Sequence, residues 1–266
     1  MSFPARLLAT PRRIVLTGAS RGIGAETARQ LARGGHSLVL VARTAPRLEA
    51  VADEIVAAGH ARPETRALDV TRADDVREGI DALARERPID VLVNNAGACR
   101  QSLFLDTPLA DLEAELALDY WGAVHTTRAV LPHMIARRRG AIVNVSSLLG
   151  SVACPTTANY CASKAALEAW THALRGEVGM HGIELSVFVA PHTRTEMGAA
   201  TRFDGVHSLP VAHTAAGLVR AIDARPRRAS SSPVIELLLR LGAWLPSFME
   251  GRLRRSVRSL LPAAAP

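Results

Sequence analysis

The sequence has almost no lysine. Among its 266 residues are 32 of the Lys/Arg type, and Lys164 is the only lysine. Aromatic residues are also scarce, at 4%, and they include two tyrosines, Tyr120 and Tyr160. Tyr160 lies four residues before Lys164, in the segment YCASK (160–164). A chain that otherwise uses arginine has placed its lysine where a side chain with different chemistry is required.

Cysteine is scarce as well, and long apolar runs are missing. Cys99, Cys154 and Cys161 have no CxxC spacing, so we expect no metal site, and they are too few for a disulfide framework. We therefore expect a reducing, cytoplasmic location. No apolar run has the length that crosses a membrane, and residues 1–13 are too interrupted for a signal peptide.

The positive charge is concentrated at one end of the chain. The net charge is +7, and from residue 224 onward eight arginines stand against two glutamates. The rest of the chain is close to neutral. Because no basic surface is spread over the body of the protein, we expect no nucleic-acid partner.

Apolar segments typical of buried strands alternate with amphipathic segments typical of helices. Strands are predicted at 14–18, 37–42, 66–68, 90–95, 141–147 and 184–190, and helices at 22–33, 45–58, 74–85, 109–137 (as two helices) and 158–180. This pattern predicts an α/β fold, a Rossmann-type doubly wound parallel sheet of about seven strands with helices on both faces. One catalytic domain is predicted over 1–224, and a C-terminal basic, apolar helical extension over 225–266. The segment 225–233 is predicted to be a loop, because a seventh strand is poorly encoded.

A glycine-rich turn, TGASRGIG (17–24), follows the first strand and opens a helix. Gly18, Gly22 and Gly24 would let a pyrophosphate approach the backbone, and the helix N-terminus offers free N–H groups. The alternative is a tight turn without a ligand. Its position between a strand and a helix favours a dinucleotide.

The second strand ends without an acidic residue that could bind a ribose 2′-hydroxyl. Arg43 stands there instead, and Arg21 lies in the glycine turn. Two guanidinium groups suit a 2′-phosphate, so we predict NADP(H) as the cofactor. The alternative is that both are solvated surface arginines.

Polar and small residues follow the other strands at the edge where such a sheet binds ligands. Asp69 could accept a hydrogen bond from the adenine amino group or cap a helix, although Thr71 is the better candidate for the cap. Asn94 could tie neighbouring strands together, and Gly97 could let the cofactor ribose lie against the backbone.

Tyr160 and Lys164 share one face of a predicted helix. A nearby ammonium, and the positive nicotinamide of an oxidised cofactor, would lower the pKa of the phenol and make it a usable general acid or base. Ser147, thirteen residues earlier, could hydrogen-bond the substrate oxygen. Each residue also has an ordinary interpretation, as a core tyrosine, a solvated lysine and a loop hydroxyl.

TGASRGIG, NNAG (94–97), the serine thirteen residues before YCASK, and Pro191 with Thr195 together resemble the short-chain dehydrogenase/reductase family over residues 10–200. The resemblance implies a nicotinamide cofactor, a homodimer or homotetramer, and catalysis by Ser147, Tyr160 and Lys164. The cofactor contacts implied are Gly18, Ser20, Arg21, Gly22, Ile23, Gly24, Arg43, Asp69, Val70, Asn94, Ala96, Gly97, Tyr160, Lys164, Pro191 and Thr195.

Two positions depart from the family pattern. Asp119, in DYWG, stands where the family has a catalytic asparagine, and an ionised carboxylate accepts hydrogen bonds but cannot donate them. We expect it to act on Lys164 or on the pKa of Tyr160. His192 stands where the family has a glycine after the sixth strand. It either faces the nicotinamide or the substrate, or turns to solvent.

The substrate residues are expected mainly in a loop at about 192–215, and they are mostly apolar. The candidates are Leu148, Leu149, His192, Met197 and Phe203, with Trp121 as a further contributor. This composition favours a small hydrophobic ketone or aldehyde, or the corresponding secondary alcohol.

Beyond the loop, residues 232–262 have three interpretations: a lid on the same subunit, a dimer interface, or an amphipathic helix at a membrane surface.

These features favour an NADP(H)-dependent carbonyl reductase that also oxidises the alcohol. Asp119 and His192 leave room for non-redox chemistry on an activated carbonyl, such as isomerisation or elimination. A nucleotide-binding regulatory protein without turnover is the third hypothesis, and the intact Ser147, Tyr160 and Lys164 argue against it.

Overall fold

The structure is a computed structural model that describes residues 11–232, 234, 237 and 246–260. Its centre is a parallel sheet of seven strands in the order β3-β2-β1-β4-β5-β6-β7. The strands are β1 (Arg13–Thr17), β2 (Ser37–Ala42), β3 (Glu64–Ala67), β4 (Val91–Asn94), β5 (Gly140–Ser147), β6 (Ile183–Ala190) and β7 (Arg228–Ser230). The order reverses between β1 and β4, which is where doubly wound sheets bind their ligands. The predicted fold class is confirmed.

Helices cover both faces of the sheet. They are α1 (Gly22–Arg33), α2 (Ala45–Ala57), α3 (Ala73–Glu86), α4 (Leu109–Leu116), α5 (Gly122–Ala136), α6 (Ala158–Val178), α7 (Glu196–Ala199), α8 (Val211–Ala224) and α9 (Pro246–Ser256). Apolar side chains of α1, α2 and α8 pack on one face, and those of α3, α5 and α6 pack on the other.

The first strand shows why its sequence is continuously apolar. Ile14 and Leu16 belong to the core on one face, whereas Val15 belongs to the core on the opposite face. Successive side chains of a strand point to opposite faces, so a strand covered on both sides needs an apolar residue at every position.

The structure corrects two local predictions. The segment 225–233 is not all loop, because β7 lies within it and pairs with β6. The extension predicted from residue 225 therefore begins with a strand of the catalytic sheet. The substrate loop predicted at about 192–215 contains the short helix α7 and ends where α8 begins at Val211. The prediction of two helices over 109–137 is confirmed, and a π-helical turn over Ala117–Trp121 joins α4 to α5.

Much of the predicted C-terminal extension, namely residues 233, 235, 236, 238–245 and 261–266, lies outside the described residues. In the part of the chain that is described, no helix combines the length and the apolar character that membrane crossing needs.

Candidate active site

The glycine turn forms a cradle that other residues could not form. Gly18 and Gly22 have φ of +66° and +56°, in the left-handed region that favours glycine. A Cβ atom on Gly24 would lie 2.1 Å from the Gly18 carbonyl oxygen, and one on Gly18 would lie 2.8 Å from the Ala96 Cα. Helix α1 begins here, and no side chain caps its N-terminal N–H groups. The turn thus offers exposed backbone donors that suit a phosphate group.

Two residues that sequence reasoning missed hold this cradle against β4. The Thr17 hydroxyl oxygen accepts hydrogen bonds from the backbone N–H groups of Asn95 (3.0 Å) and Ala96 (3.1 Å). The Asn95 side-chain amide donates to the carbonyl oxygens of Thr17 (3.1 Å) and Gly18 (3.2 Å). The ends of β1 and β4, which are far apart in the chain, are therefore fixed to one another where a dinucleotide would cross.

A cleft of about 480 Å³ lies along this edge of the sheet. Thirteen of the sixteen predicted cofactor residues line it: Gly18, Ser20, Arg21, Gly22, Ile23, Gly24, Arg43, Val70, Ala96, Gly97, Tyr160, Lys164 and Thr195. Asp69, Asn94 and Pro191 do not.

Asp69 and Asn94 instead make hydrogen bonds within the protein. One Asp69 carboxylate oxygen accepts hydrogen bonds from both the N–H and the hydroxyl of Thr71. Thr71 is therefore not the helix cap: the residue at the cap of α3 is Arg72, without a side-chain bond. The buried Asn94 amide donates to Asn144 (2.8 Å) and Thr127 (3.1 Å), which ties β4 to β5 and to α5.

The arginines at the mouth of the cleft differ in their surroundings. Arg43 lines the mouth and has no ion-pair partner within the described residues. Arg21 lines the same cleft and donates to the Glu196 carboxylate at 2.6 Å, an ion pair that the sequence did not suggest. Arg47, which sequence reasoning missed, also lines the cleft and lies 3.8 Å from Glu196. Arg47 lies in the first turn of α2, where the sequence pattern indicated only a helix.

The predicted catalytic residues meet at the ends of β5 and α6. Ser147 and Tyr160 lie in the wall of one cavity, and Ser147 is close enough to lower the pKa of the phenol. The Lys164 ammonium lies 5.6 Å from the centre of the Tyr160 ring and donates to the Val145 carbonyl oxygen at 3.4 Å. The structure therefore brings together the three side chains that the sequence places thirteen and four residues apart.

The electrostatics of Tyr160 differ from the sequence expectation. Burial raises the pKa of its phenol well above the ordinary value, and the negative charge of Asp119 raises it further, while Ser147 lowers it. The expected lowering of the Tyr160 pKa is therefore wrong when only the protein's own groups act on it. A raised pKa keeps the phenol protonated at neutral pH, which is the form that can donate a proton.

Asp119 is the buried anion of the site. It lies on the π-helical turn before α5, where one carboxylate oxygen accepts from the Ala98 N–H (2.8 Å) and the other accepts from the Ser163 hydroxyl (3.3 Å). The Lys164 ammonium is 3.9 Å away. A Cβ atom on Gly97 would come within 2.8 Å of the Asp119 carboxylate and 3.2 Å of the Lys164 nitrogen, so glycine lets the backbone pass close to this pair.

Asp119→Asn should make the free energy of unfolding less sensitive to pH. Burial raises the pKa of Asp119 from 3.8 to about 6, despite the opposing effect of Lys164. The folded state therefore binds the proton more tightly than the unfolded state, and stability is lost as the pH rises from 3.8 to about 6. The variant should equal the wild type near pH 4 and exceed it by up to about 3 kcal/mol at pH 7. Urea unfolding of both proteins measures this difference, and a difference independent of pH would contradict the assignment.

A second cavity of about 250 Å³ adjoins the cleft. All five predicted substrate residues line it: Leu148, Leu149, His192, Met197 and Phe203. Pro191 lines this cavity rather than the cofactor cleft. Tyr160 lines both cavities, so the phenol lies where they meet. Trp121 is not in either wall, because it is half exposed and stacked on His125.

His192 is held inside the second cavity rather than turned to solvent. Its Nδ1 is hydrogen-bonded to the Ser208 hydroxyl at 2.7 Å, and its Nε2 to the Thr201 hydroxyl at 3.0 Å. The Phe203 ring meets it edge-on at 5.4 Å. Burial lowers the pKa of the imidazole, so the uncharged form is favoured. Its backbone is not in the left-handed region, so this position does not require the family glycine.

Comparison with known proteins identifies relatives of this chain. A very-long-chain 3-oxoacyl-CoA reductase of Ajellomyces capsulatus is 35% identical over 220 residues, which are 81% of this chain and 63% of the relative. Dehydrogenase/reductase SDR family member 7 of Homo sapiens is 41% identical over 170 residues, which are 62% of this chain and 50% of the relative. The matched region thus spans between half and two thirds of these relatives.

A short-chain dehydrogenase from Sphingobium yanoikuyae, solved in complex with NADPH, is 28% identical and has a TM-score of 0.77, with coverage of 97% of this chain and 98% of that one. Other structural relatives were solved with NADP or, in one case of similar fold, with NAD. The family model for short chain dehydrogenases matches residues 12–204, a span that contains the glycine cradle, the cleft and the Ser147–Tyr160–Lys164 group. The chain belongs to the short-chain dehydrogenase family and has its oxidoreductase architecture.

Proposed function

We propose that the protein is an NADP(H)-dependent oxidoreductase that reduces an uncharged, hydrophobic ketone or aldehyde to the alcohol, and catalyses the reverse oxidation. One observation supports this proposal above the others: Tyr160 forms part of the wall of both the cofactor cleft and the apolar cavity. A proton donor at that junction is within the reach of a carbonyl oxygen whose apolar substituents occupy the cavity.

The residues of the cleft fit a nicotinamide dinucleotide phosphate. The glycine cradle suits a pyrophosphate, because its glycines line the cleft and α1 begins there with no side chain capping its N–H groups. Arg43 and Arg47 offer guanidinium groups to a 2′-phosphate at the mouth. Gly97 and Ala96 leave room for the nicotinamide ribose beside Lys164. When bound, the dinucleotide supplies the hydride that reduces the carbonyl carbon.

The protein groups then handle the carbonyl oxygen. Ser147 donates a hydrogen bond to it and shares the negative charge that develops during reduction. Tyr160 gives its phenolic proton to the same oxygen, so the product is a neutral alcohol. Lys164 places a positive charge within 5.6 Å of the Tyr160 ring, which stabilises the phenolate left behind.

The chain also offers an apolar surface for self-association. Phe104, Leu105 and Leu109, just before and at the start of α4, are 68%, 92% and 69% exposed. Apolar residues this exposed and this close in the chain favour an interface between copies, so we include a homodimer or homotetramer in the proposal.

The test of the proposed reaction is a panel assay. Purified protein is incubated with NADPH and a series of uncharged ketones and aldehydes, and the near-ultraviolet absorbance of NADPH is followed. Saturable loss of absorbance with matching alcohol formation supports the proposal. Tight binding of NADPH with no oxidation on any substrate would overturn it in favour of a nucleotide-binding protein, and substrate conversion without NADPH oxidation would favour isomerisation or elimination.

Arg43→Asp should move cofactor preference from NADPH toward NADH. The substitution removes a cation from the mouth of the cleft and adds an anion that repels a 2′-phosphate. A charge-assisted hydrogen bond contributes 1.5–3 kcal/mol, so the NADPH-to-NADH ratio of kcat/KM should fall by about 10- to 100-fold. Arg77→Asp is the matched control, because Arg77 is equally exposed but lies on α3 and not in the cleft wall. An unchanged ratio in Arg43→Asp would remove Arg43 from cofactor recognition.

A further inference from the structure

The C-terminal helix α9 packs beside the apolar cavity. Leu253 and Ser256 form part of the cavity wall. Val257, directly after the helix, is completely buried in an apolar cluster with Cys154 and Cys161. Cys161 is the next residue after Tyr160, so the end of the chain packs one residue from the proposed proton donor. These contacts favour the first of the three interpretations of the tail, a lid on its own subunit.

Hydrogen bonds fix this helix to the loop that follows β6. The Asp204 N–H donates to the Ser256 carbonyl oxygen at 2.6 Å, and the Ser259 hydroxyl donates to the Asp204 carboxylate at 3.4 Å. The tail is thus hydrogen-bonded to the loop that follows β6 and packed, through Val257, on Cys154 and Cys161, which is more than an accidental surface contact would provide.

The loop itself is fastened at its other side by Gln101. The side-chain amide of Gln101 donates to the Arg202 carbonyl oxygen (3.0 Å) and accepts from the Arg202 N–H (2.6 Å). The same amide nitrogen donates to the Thr156 hydroxyl at 3.1 Å. Thr156 has φ of +68°, a strained conformation for a β-branched residue, and its carbonyl oxygen accepts from the Ser102 N–H. Three loops are therefore held in one arrangement around the cavity, and α9 completes its outer side.

The charges of α9 are separated from its cavity face. Arg252, Arg254 and Arg255 are exposed, whereas Leu253, between them, reaches the cavity. Among the described residues that line the cavity, none carries a formal charge, and the neutral form of His192 is favoured. An ionised group inside would have no partner to offset its loss of water, so the cavity selects uncharged substituents.

We propose that α9 is a specificity-determining element and that Leu253 sets the length of the apolar substituent that the substrate can carry beside its carbonyl group. The inference rests on the proposed function for the identity of the carbonyl group. The effect of Leu253 on chain length, however, is an effect on substrate binding and can be measured without turnover. A larger side chain at position 253 shortens the cavity, and a smaller one lengthens it. The substrate class is therefore an uncharged alkyl or aryl ketone or aldehyde whose apolar end contacts the tail helix.

The test uses the full chain loaded with NADP⁺ and a homologous series of 2-alkanones, whose equilibrium binding is measured by calorimetry. In the wild type, each added methylene should tighten binding about fourfold until the cavity is filled. Leu253→Ala should move the chain length at which binding stops improving to longer alkanones, and Leu253→Trp should move it to shorter ones. Arg254→Ala, an exposed neighbour on the same helix, is the control and should leave the limit unchanged.

Opposite shifts of the limiting chain length in the two variants would show that Leu253 contacts the substrate. If Leu253 only stabilised the fold, both substitutions would weaken the binding of every alkanone. The proposal would be overturned if the limiting chain length were the same in Leu253→Ala, Leu253→Trp and the wild type. It would also be overturned if the wild type bound no member of the series. Suppose instead that the limiting chain length shifts as predicted but no alkanone is reduced in the presence of NADPH. That result would support the role of Leu253 and overturn the proposed reaction.

Discussion

Tyr160→Phe should lower kcat for ketone reduction by between about 10²- and 10⁴-fold, the range that a general acid contributes. Phenylalanine preserves the ring that lines both cavities, but it has no proton to give to the carbonyl oxygen and no hydroxyl for Ser147. Burial and the charge of Asp119 keep the phenol protonated in the wild type, so its loss removes a donor that is already in its active form. Stopped-flow or steady-state NADPH oxidation measures the effect.

The other tyrosine provides the matched control for this experiment. Tyr120 contacts Trp121 and Trp170 edge-on, and it is in neither cavity wall. Tyr120→Phe should therefore retain kcat within a small factor. The dissociation constant for NADPH should stay close to the wild-type value in both variants, because the phosphate-binding end of the cleft is untouched. Turnover retained in Tyr160→Phe would mean that the proton comes from another group.

Lys164→Arg should lower kcat/KM by roughly 10²-fold, a loss typical of removing one well-placed electrostatic group. The ammonium is almost completely buried between Asp119 at 3.9 Å and the Val145 carbonyl oxygen at 3.4 Å. Gly97 also lies beside the ammonium, since a Cβ atom built on it would be 3.2 Å away, and a planar guanidinium on a longer side chain cannot place its charge at the same point. Arginine keeps the formal charge but cannot occupy this point, so geometry rather than charge makes lysine necessary here.

The control for this substitution uses the fact that the chain has one lysine. A double variant, Lys164→Arg with Arg128→Lys, restores the lysine count at an exposed position on α5. It should be as impaired as the single variant, and Arg128→Lys alone should behave as the wild type. Full activity in Lys164→Arg would show that only the charge matters and would contradict the steric argument.

Local sequence patterns were sufficient to predict most of the architecture. β1, β2, β4, β5 and β6 are buried on both faces, so their apolar runs were visible without any knowledge of their neighbours. β3, with the sequence ETRA, is short and partly exposed, and its predicted bounds, 66–68, are displaced from those in the structure. The glycine cradle and the Tyr160–Lys164 pair are also local, since each depends on one turn of chain. β7 was missed because it has three residues, two of them polar, and pairs only with β6 at the edge of the sheet.

The site features that were missed depend on partners far away in the chain. Arg21 and Glu196 are 175 residues apart, and nothing near either residue indicates their ion pair. Asn94 ties β4 to β5, as one interpretation of the sequence had it, but its partners Thr126, Thr127 and Asn144 are 32 to 50 residues away, and it does not line the cleft. An effect of Asp119 on the pKa of Tyr160 was expected, whereas its upward direction follows mainly from burial, which only tertiary packing determines.

Transfer of an isotopic label tests the proposed chemistry most directly. The protein is given a hydrophobic ketone and NADPH with deuterium at the transferable position of the nicotinamide, and the alcohol is examined by mass spectrometry and proton NMR. We predict one deuterium on the carbinol carbon for each NADPH oxidised, and a hydroxyl proton that exchanges with solvent. NADPH oxidised without deuterium in the alcohol, or a product formed without NADPH oxidation, would contradict direct hydride transfer at this site.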